Sequence, residues 1–180
     1  GSMLPTLQIQ DRLIIEKLSM KRRFPKRGEI IVFKSPFSFD SVLNDNKRQP
    51  KLKCILLNFP LISFIPSIRE PACDAYIKRV VALPGDLFQI NSKGQLFISN
   101  NLVKEPYVKN FCTSANRTIG NCPVLQSKVP NGHVLVLGDN RSNSWDGRFW
   151  PGGPFLPVNQ IIGRAVWRFW PSHRIGGLHL

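Results

Sequence analysis

Short runs of apolar residues, several of them alternating with polar ones, recur along the chain. The runs DRLIIEKL (11–18) and EIIVFK (29–34) have the length and composition of β-strands. Three further runs of this kind are YIKRVVALPGD (76–86), HVLVLGDN (133–140) and IIGRAVWRFWP (161–171). The pattern therefore predicts a protein built mainly from β-strands.

The connections between these runs differ in character. Residues 86–100 hold two alternating segments around Ser92-Lys93-Gly94, which predicts a β-hairpin. Residues 35–75 form an irregular, proline-rich insertion, and residues 100–130 are polar and typical of a loop. The 15 prolines and 13 glycines interrupt any long helical period. We therefore expect short strands with long excursions between them.

The charge of the chain is strongly positive. Lys and Arg number 25 against 11 Asp and Glu, for a net charge of +14, and the basic residues cluster in MKRRFPKR (20–27) and NKRQPKLK (46–53). Such clusters predict attraction to an anionic partner, and both lipid and nucleic acid are compatible. A basic solvated face without a dedicated partner is the alternative.

The longest apolar segment is CILLNFPLISFIP (54–66), which is too short to span a membrane and is interrupted by Pro60. It could lie in a membrane interface or pack against the body of the protein. The sequence leaves both interpretations open.

The four cysteines, Cys54, Cys73, Cys112 and Cys122, lack the spacing of a zinc site. A disulfide between Cys112 and Cys122 would close a short loop, and it would require an oxidising compartment. Buried free thiols are the alternative.

Lys78 interrupts the apolar side of the predicted strand, because alternation places Tyr76, Val80 and Ala82 on the same face. Desolvation disfavours a charged ammonium and lowers its pKa, so a buried lysine can become a neutral amine that acts as a general base. A lysine near a strand end can instead extend its ammonium to water. The local pattern does not decide between them.

Ser2, in the N-terminal stretch GSMLPTL, is a candidate nucleophile for such a base. Met3, Leu4 and Leu7 would anchor this stretch on an apolar surface. A serine shortly before a proline is also a common turn residue, so this motif alone is weak.

The segment GDNRSNSWDGR (138–148) places eight polar residues in eleven positions directly after a predicted strand. This density predicts an ion pair between Asp146 and Arg148 that holds the Ser144 hydroxyl in place. A solvated surface turn is the alternative.

A Ser-His-Asp triad is the competing arrangement for a serine nucleophile. The histidines are His133, which begins a predicted strand, and His173 and His179 in the C-terminal tail. The Ser-Lys pair is better supported.

Taken together, the three segments resemble those of the bacterial type I signal peptidases, including the enzymes of thylakoid membranes. SMLPTL resembles the family's nucleophile box, YIKRVVALPGD its lysine box, and GDNRSNSWDGR its Gly-Asp-Asn-Arg box. Their order and separation agree over nearly the whole chain.

The resemblance implies a mainly β fold, with a coiled antiparallel β-sheet catalytic core and a smaller β-rich cap. Residues 1–180 would form the catalytic domain, with a membrane anchor ahead of residue 1 in the full-length protein. The expected core comprises residues 1–35, 76–91 and 133–171, with insertions at 36–75 and 92–132.

The resemblance also assigns roles. Ser2 would be the nucleophile and Lys78 the general base, while Ser144 would orient the lysine amine through a hydrogen bond. Asp146 and Arg148 would form the supporting ion pair. Two further residues would belong to this scaffold: Asp139 and Arg141.

Members of this family cleave signal peptides from exported preproteins through an acyl-enzyme, after small residues at the first and third positions before the bond. The resemblance implies no cofactor and no metal. The small side chains would fit shallow apolar pockets walled by Met3, Leu7, Tyr76 and Ile77.

The same resemblance implies that the protein would belong to the cell inner membrane or the thylakoid membrane, with the catalytic domain on the periplasmic or lumenal side. Its partners would be signal peptides and an anionic lipid surface, and not nucleic acid. One alternative is a non-catalytic homologue that binds signal peptides or membrane. A basic nucleic-acid-binding β domain is less well supported, because the charges are not interleaved with aromatic residues in a recognisable module.

Two departures from the family pattern are expected to matter. The family builds its oxyanion hole from the N–H of the nucleophile and a residue two positions before it, which would fall ahead of Gly1. Loss of one such donor costs about a hundredfold or more in rate. Gly147 stands where many relatives carry a larger side chain, and we expect it to tighten the turn.

Overall fold

The computed structural model describes residues 1–40, 42, 75–112 and 122–178. The apolar segment 54–66, the basic cluster of residues 46–53, and Cys54 and Cys73 lie outside the described residues, so the predictions for them stay predictions.

Eleven β-strands are formed by the described residues, in chain order: β1 (Arg12–Glu16), β2 (Ile30–Lys34), β3 (Ala75–Ala82), β4 (Leu87–Ile90), β5 (Leu96–Ile98), β6 (Asn101–Leu102), β7 (Leu125–Lys128), β8 (His133–Leu137), β9 (Phe155–Pro157), β10 (Ile161–Trp170) and β11 (Gly176–Gly177).

The strands form two antiparallel sheets. The larger has the order β1-β10-β2-β3-β8-β9, with β11 also paired to β10, and the smaller has the order β6-β5-β4-β7. Every predicted strand is present, and β4 and β5 form the predicted hairpin. The mainly β, antiparallel prediction is therefore confirmed.

The prediction of a loop over residues 100–130 is wrong at both ends, because β6 and β7 lie within it. The side chains of β7 are mostly exposed, and the strand is held by its ladder with β4. Only Leu125 of this strand packs against the inter-sheet core, so the strand has no alternation of apolar residues to reveal it.

The sequence predicts that Tyr76, Lys78, Val80 and Ala82 share one face of β3. This alternation is interrupted by a register shift between Val80 and Ala82, where β3 pairs with β8. Tyr76 and Val80 contact one core cluster, as predicted, whereas Val81 and Ala82 both belong to another. A bulge adds a residue and reverses the alternation beyond it.

Three apolar clusters stabilise the fold. The inter-sheet core joins the two sheets through residues that include Ala82, Phe88 and Leu137. The second cluster lies on the face of the larger sheet that carries Tyr76 and Val80. The N-terminal cluster consists of Met3, Leu7, Ile30 and Ala165. It fixes the start of the chain against β2 and β10.

Among the described residues, no helix is both long and apolar enough to cross a lipid bilayer.

Candidate active site

The N-terminal segment is held against the larger sheet by two buried side chains. Met3 and Leu7 are 3% and 7% exposed, and each contributes about 1.5–3 kcal/mol by burial. A hydrogen bond from Leu7 N to Met3 O (2.8 Å) closes the turn between them. These contacts fix the position of Ser2 against the larger sheet.

Lys78 lies on β3, a central strand, opposite Ile31 of β2. Its side chain is buried, and Nζ donates hydrogen bonds to Ser2 Oγ (2.8 Å) and to Ile77 O (3.0 Å). The structure thus brings together the two residues that the sequence proposed as nucleophile and base, although 76 positions separate them in the chain.

Burial lowers the pKa of Lys78 from 10.5 to about 8, because desolvation penalises the ammonium more than the carboxylates of Asp146 and Asp139 stabilise it. A neutral amine at this distance can accept the Ser2 Oγ proton. The alternative, in which the ammonium reaches water, does not match this buried position.

The segment 138–148 is a buried platform and not a solvated turn. Asp146 and Arg148 form an ion pair (2.8 Å) with both side chains fully buried, and Asp146 also accepts a hydrogen bond from Gly138 N (2.9 Å). Burial alone would raise the pKa of Asp146, but Arg148 and the Gly138 N–H hold it below its usual value. Asp146 is therefore ionised beside the lysine.

Ser144 does not make the hydrogen bond expected with Lys78. Its Oγ is buried and has no partner at hydrogen-bond geometry among the described residues, although it lies near enough to the Asp146 carboxylate to help lower its pKa. Instead, the hydroxyl packs over Gly138. A Cβ at Gly138 would lie 2.1 Å from Ser144 Oγ and 2.5 Å from Ser2 O, so only glycine fits there.

A similar restriction applies at Gly147, where a Cβ would lie 2.5 Å from Pro154 O. The close approach of these two backbone segments explains why this turn has no side chain.

Asp139 and Arg141 both belong to the platform, but they do not pair with each other. Asp139 is bound by Arg79, which donates to both carboxylate oxygens at 2.8 and 2.7 Å, and it also accepts a hydrogen bond from Thr6 Oγ1. Arg141 forms a buried ion pair with Glu105. These partners were not predicted from the sequence.

Tyr107 connects the two ion pairs. Its ring lies 3.9 Å from the guanidinium carbon of Arg79, and its hydroxyl donates to Glu105 Oε1 (3.0 Å). Burial raises the pKa of the Tyr107 hydroxyl, so it stays protonated. Thr6 and Asp139 thereby link the N-terminal segment, through Arg79, to Tyr107 and Glu105.

Cys112 and Cys122 form a disulfide with a Cα–Cα distance of 6.2 Å. Both sulphurs lie 3.5 Å from Nη1 of Arg148. The disulfide therefore supports the Asp146–Arg148 pair from behind.

The proposed pocket residues occupy two different surroundings. Ile77 packs against the cluster of Met3 and Leu7, whereas Tyr76 contacts the cluster on the other face, with its ring centroid 5.7 Å from Lys78 Nζ. Met3 and Leu7 are largely buried and so act mainly as anchors. Tyr76 and Ile77 retain more exposed surface.

The triad alternative finds no support in the position of His133, whose ring contacts Asn131 O and Phe155 rather than Ser2. In the part of the chain that is described, no group of three or more His, Cys, Asp or Glu residues could hold a metal ion.

Comparison with known proteins gives consistent results. Residues 1–170 match the family model described as "Signal peptidase, peptidase S26". The chain is 39% identical over 98% of its length to "Probable signal peptidase I-2" of Synechocystis sp. (strain ATCC 27184 / PCC 6803 / Kazusa), and 38% identical over 98% to "Signal peptidase I" of Leptolyngbya laminosa. It is 33% identical over 97% to "Thylakoidal processing peptidase 1, chloroplastic" of Arabidopsis thaliana.

The chain spans 62%, 68% and 41% of the length of these three relatives. The matches extend over nearly all of the chain and confirm the resemblance found in its three motifs. The chain belongs to the signal peptidase family, peptidase S26.

Proposed function

We propose that this chain is the catalytic part of an endopeptidase that removes N-terminal signal peptides from exported preproteins. The observation that carries the proposal is the 2.8 Å contact between Lys78 Nζ and Ser2 Oγ, made by a buried lysine with a lowered pKa. Membership in the signal peptidase family supports the choice of substrate.

In the proposed mechanism, neutral Lys78 takes the proton of Ser2 Oγ as the oxygen attacks the scissile carbonyl carbon. The C–N bond then breaks, and the Lys78 ammonium returns the proton to the leaving nitrogen. An acyl-enzyme on Ser2 remains. Lys78 next deprotonates a water molecule, whose oxygen attacks the ester carbonyl carbon. The ester C–O bond then breaks, the Lys78 ammonium returns the proton to Ser2 Oγ, and the carboxylic acid product is released.

The lowered pKa of Lys78 makes this mechanism feasible near neutral pH. With a pKa of about 8, roughly a tenth of the lysine is neutral at pH 7. An ordinary lysine would be neutral about 300 times less often. Burial on β3 thus supplies the base without a histidine.

The platform of residues 138–148 would hold Ser2 and Lys78 in their relative positions. Asp146 with Arg148 and Asp139 with Arg79 fix the segment that packs against Ser2. We propose that Ser144 supports the site by packing over Gly138 next to the Ser2 backbone.

We further propose that Tyr76 and Ile77 limit the space beside the reactive pair, with Met3 and Leu7 supporting them from within the fold. Tyr76 is backed by Phe33 and Trp145, with ring centroids 6.3 and 6.0 Å away. A wall backed by packed aromatic rings excludes large side chains by steric clash, which is consistent with cleavage after small residues.

A membrane surface is the proposed environment of the site, on the periplasmic or lumenal side of an inner or thylakoid membrane. Ile14 and Trp167 are cross-strand neighbours, and both are exposed, as are Phe169 and Trp170. Tryptophan is enriched at membrane interfaces, and the neighbouring Arg12 is exposed and suited to anionic lipid.

The activity is tested by incubating the full-length protein in detergent with a preprotein and following the released mature chain. We expect cleavage by the wild type and none by Ser2→Ala or Lys78→Ala. Lys93→Ala is the matched control, because Lys93 is exposed in the β4–β5 turn. Undiminished cleavage by Lys78→Ala would contradict the mechanism, and no cleavage by the wild type would favour the non-catalytic alternative.

Membrane binding is tested by flotation with anionic and with neutral vesicles. We expect binding to anionic vesicles that weakens in Trp167→Ala but not in Leu87→Ala, since Leu87 is exposed on the smaller sheet. Stronger binding to RNA than to anionic vesicles would instead support the nucleic-acid alternative.

A further inference from the structure

The Ser2 backbone is held by a residue that has no assigned role in the proposed mechanism. Asn140 donates two hydrogen bonds to it, from its backbone N to Ser2 O (3.0 Å) and from its side-chain Nδ2 to Gly1 O (3.2 Å). Gly1 O also accepts a hydrogen bond from Leu4 N at 3.3 Å. Asn140 thus contacts the peptide units on both sides of the Ser2 Cα.

The orientation of the Asn140 side chain is itself fixed. Its Oδ1 accepts a hydrogen bond from Ser142 Oγ (3.1 Å), which leaves Nδ2 facing Gly1 O. The residue is only 5% exposed, so water competes little for these contacts. A buried amide with one end held as an acceptor has little freedom to rotate.

The contact with Gly1 O determines where the N–H of Ser2 points. The Gly1–Ser2 peptide bond is trans, so the Gly1 carbonyl and the Ser2 N–H lie in one plane and point in opposite directions. Among the described residues, the Ser2 N–H donates to no protein acceptor. It is a free backbone donor on the nucleophile itself.

We propose that Asn140 is a positioning residue that aims the Ser2 N–H at the oxygen of the tetrahedral intermediate. This inference rests on the proposed peptidase function. A backbone N–H stabilises an oxyanion only when it already points at the place where the charge develops. The hydrogen bond at Gly1 O also polarises the peptide and strengthens its N–H as a donor.

Asn140→Ala tests the proposal, because it removes the side-chain donor and leaves the backbone hydrogen bond to Ser2 O. We expect kcat to fall at least about tenfold with KM nearly unchanged, since the lost interaction acts in the transition state. The ascending limb of the pH–rate profile should not move, because Lys78 is untouched. Asn143→Ala is the control, since Asn143 is exposed in the same turn and should match the wild type.

Ser142→Ala serves as a second variant that keeps Asn140 but removes the group that orients it. We expect a smaller loss of kcat, again at constant KM. If Asn140→Ala does not fold, this variant decides, and an unchanged kcat overturns the proposal.

The outcomes separate the proposal from the function on which it rests. Cleavage by Asn140→Ala at the rate of Asn143→Ala, or a loss that appears only in KM, overturns the role of Asn140 while the Ser2–Lys78 mechanism stands. A wild type that does not cleave, or a Lys78→Ala variant that does, overturns both.

Discussion

Replacing Lys78 with methionine should change how the stability of the fold depends on pH. Lowering the pKa of Lys78 from 10.5 to about 8 corresponds to about 3 kcal/mol, since each pKa unit is worth about 1.4 kcal/mol. Between these two pH values the unfolded chain keeps the proton that the folded chain has lost, so the wild type becomes more stable as pH rises. Methionine has similar length and no proton to lose, so Lys78→Met lacks this gain.

The free energy of unfolding of Lys78→Met minus that of the wild type should therefore fall by about 3 kcal/mol between about pH 7 and pH 10.5. Urea unfolding followed by tryptophan fluorescence at several pH values measures this difference. Other residues that titrate in this range cancel between the two proteins, as do the hydrogen bonds lost with the amine.

Lys93→Met is the matched control, since it makes the same substitution at an exposed position. The difference between Lys93→Met and the wild type should stay nearly constant over the same range. A constant difference for Lys78→Met as well would refute the claim that burial lowers the pKa of this lysine.

Two further substitutions test the support of the site. Gly138→Ala should destabilise the fold by about 1–3 kcal/mol and reduce cleavage more than about tenfold, because the added methyl would lie 2.1 Å from Ser144 Oγ and 2.5 Å from Ser2 O, far inside van der Waals contact. Gly176→Ala, where a methyl meets nothing within 4 Å, should be nearly neutral in both assays. Equal behaviour of the two variants would contradict this prediction. Replacing Cys112 and Cys122 together with serine opens a link across 10 positions of sequence and should cost about 2–3 kcal/mol in urea unfolding under oxidising conditions. No loss of stability would show that the disulfide does not support the platform.

The strands with buried apolar faces could be predicted from the sequence, because packing produces the alternation or the apolar run that reveals them. β8 is an example, with four of its five residues buried. β7 has mostly exposed side chains and is stabilised by pairing with β4, so its sequence resembles a loop.

The residues of the candidate site could be predicted from the sequence, but most of the contacts between them could not. The apolar surroundings of Lys78 are a local property of the sequence, but its contact with Ser2 depends on the tertiary fold. The residues alone made Ser2 a candidate nucleophile for such a base, and the family resemblance assigned the catalytic roles to the pair. The partners of Asp139 and Arg141 could not be found in this way, because Arg79 and Glu105 lie 60 and 36 positions away in the chain.

The role of Ser144 was predicted incorrectly in its geometry. The sequence shows that a serine lies beside the Asp146–Arg148 pair. It does not show where the serine hydroxyl points, which depends on the close approach of Gly138. The packing between backbone segments sets this direction, and the local sequence does not reveal that packing.

The pH dependence of kcat/KM for preprotein cleavage tests most directly whether Lys78 is the base that activates Ser2. We expect an ascending limb with an apparent pKa near 8, because that is where the buried amine loses its proton. An ascending limb near 10, the ordinary range of a solvated lysine, would contradict it.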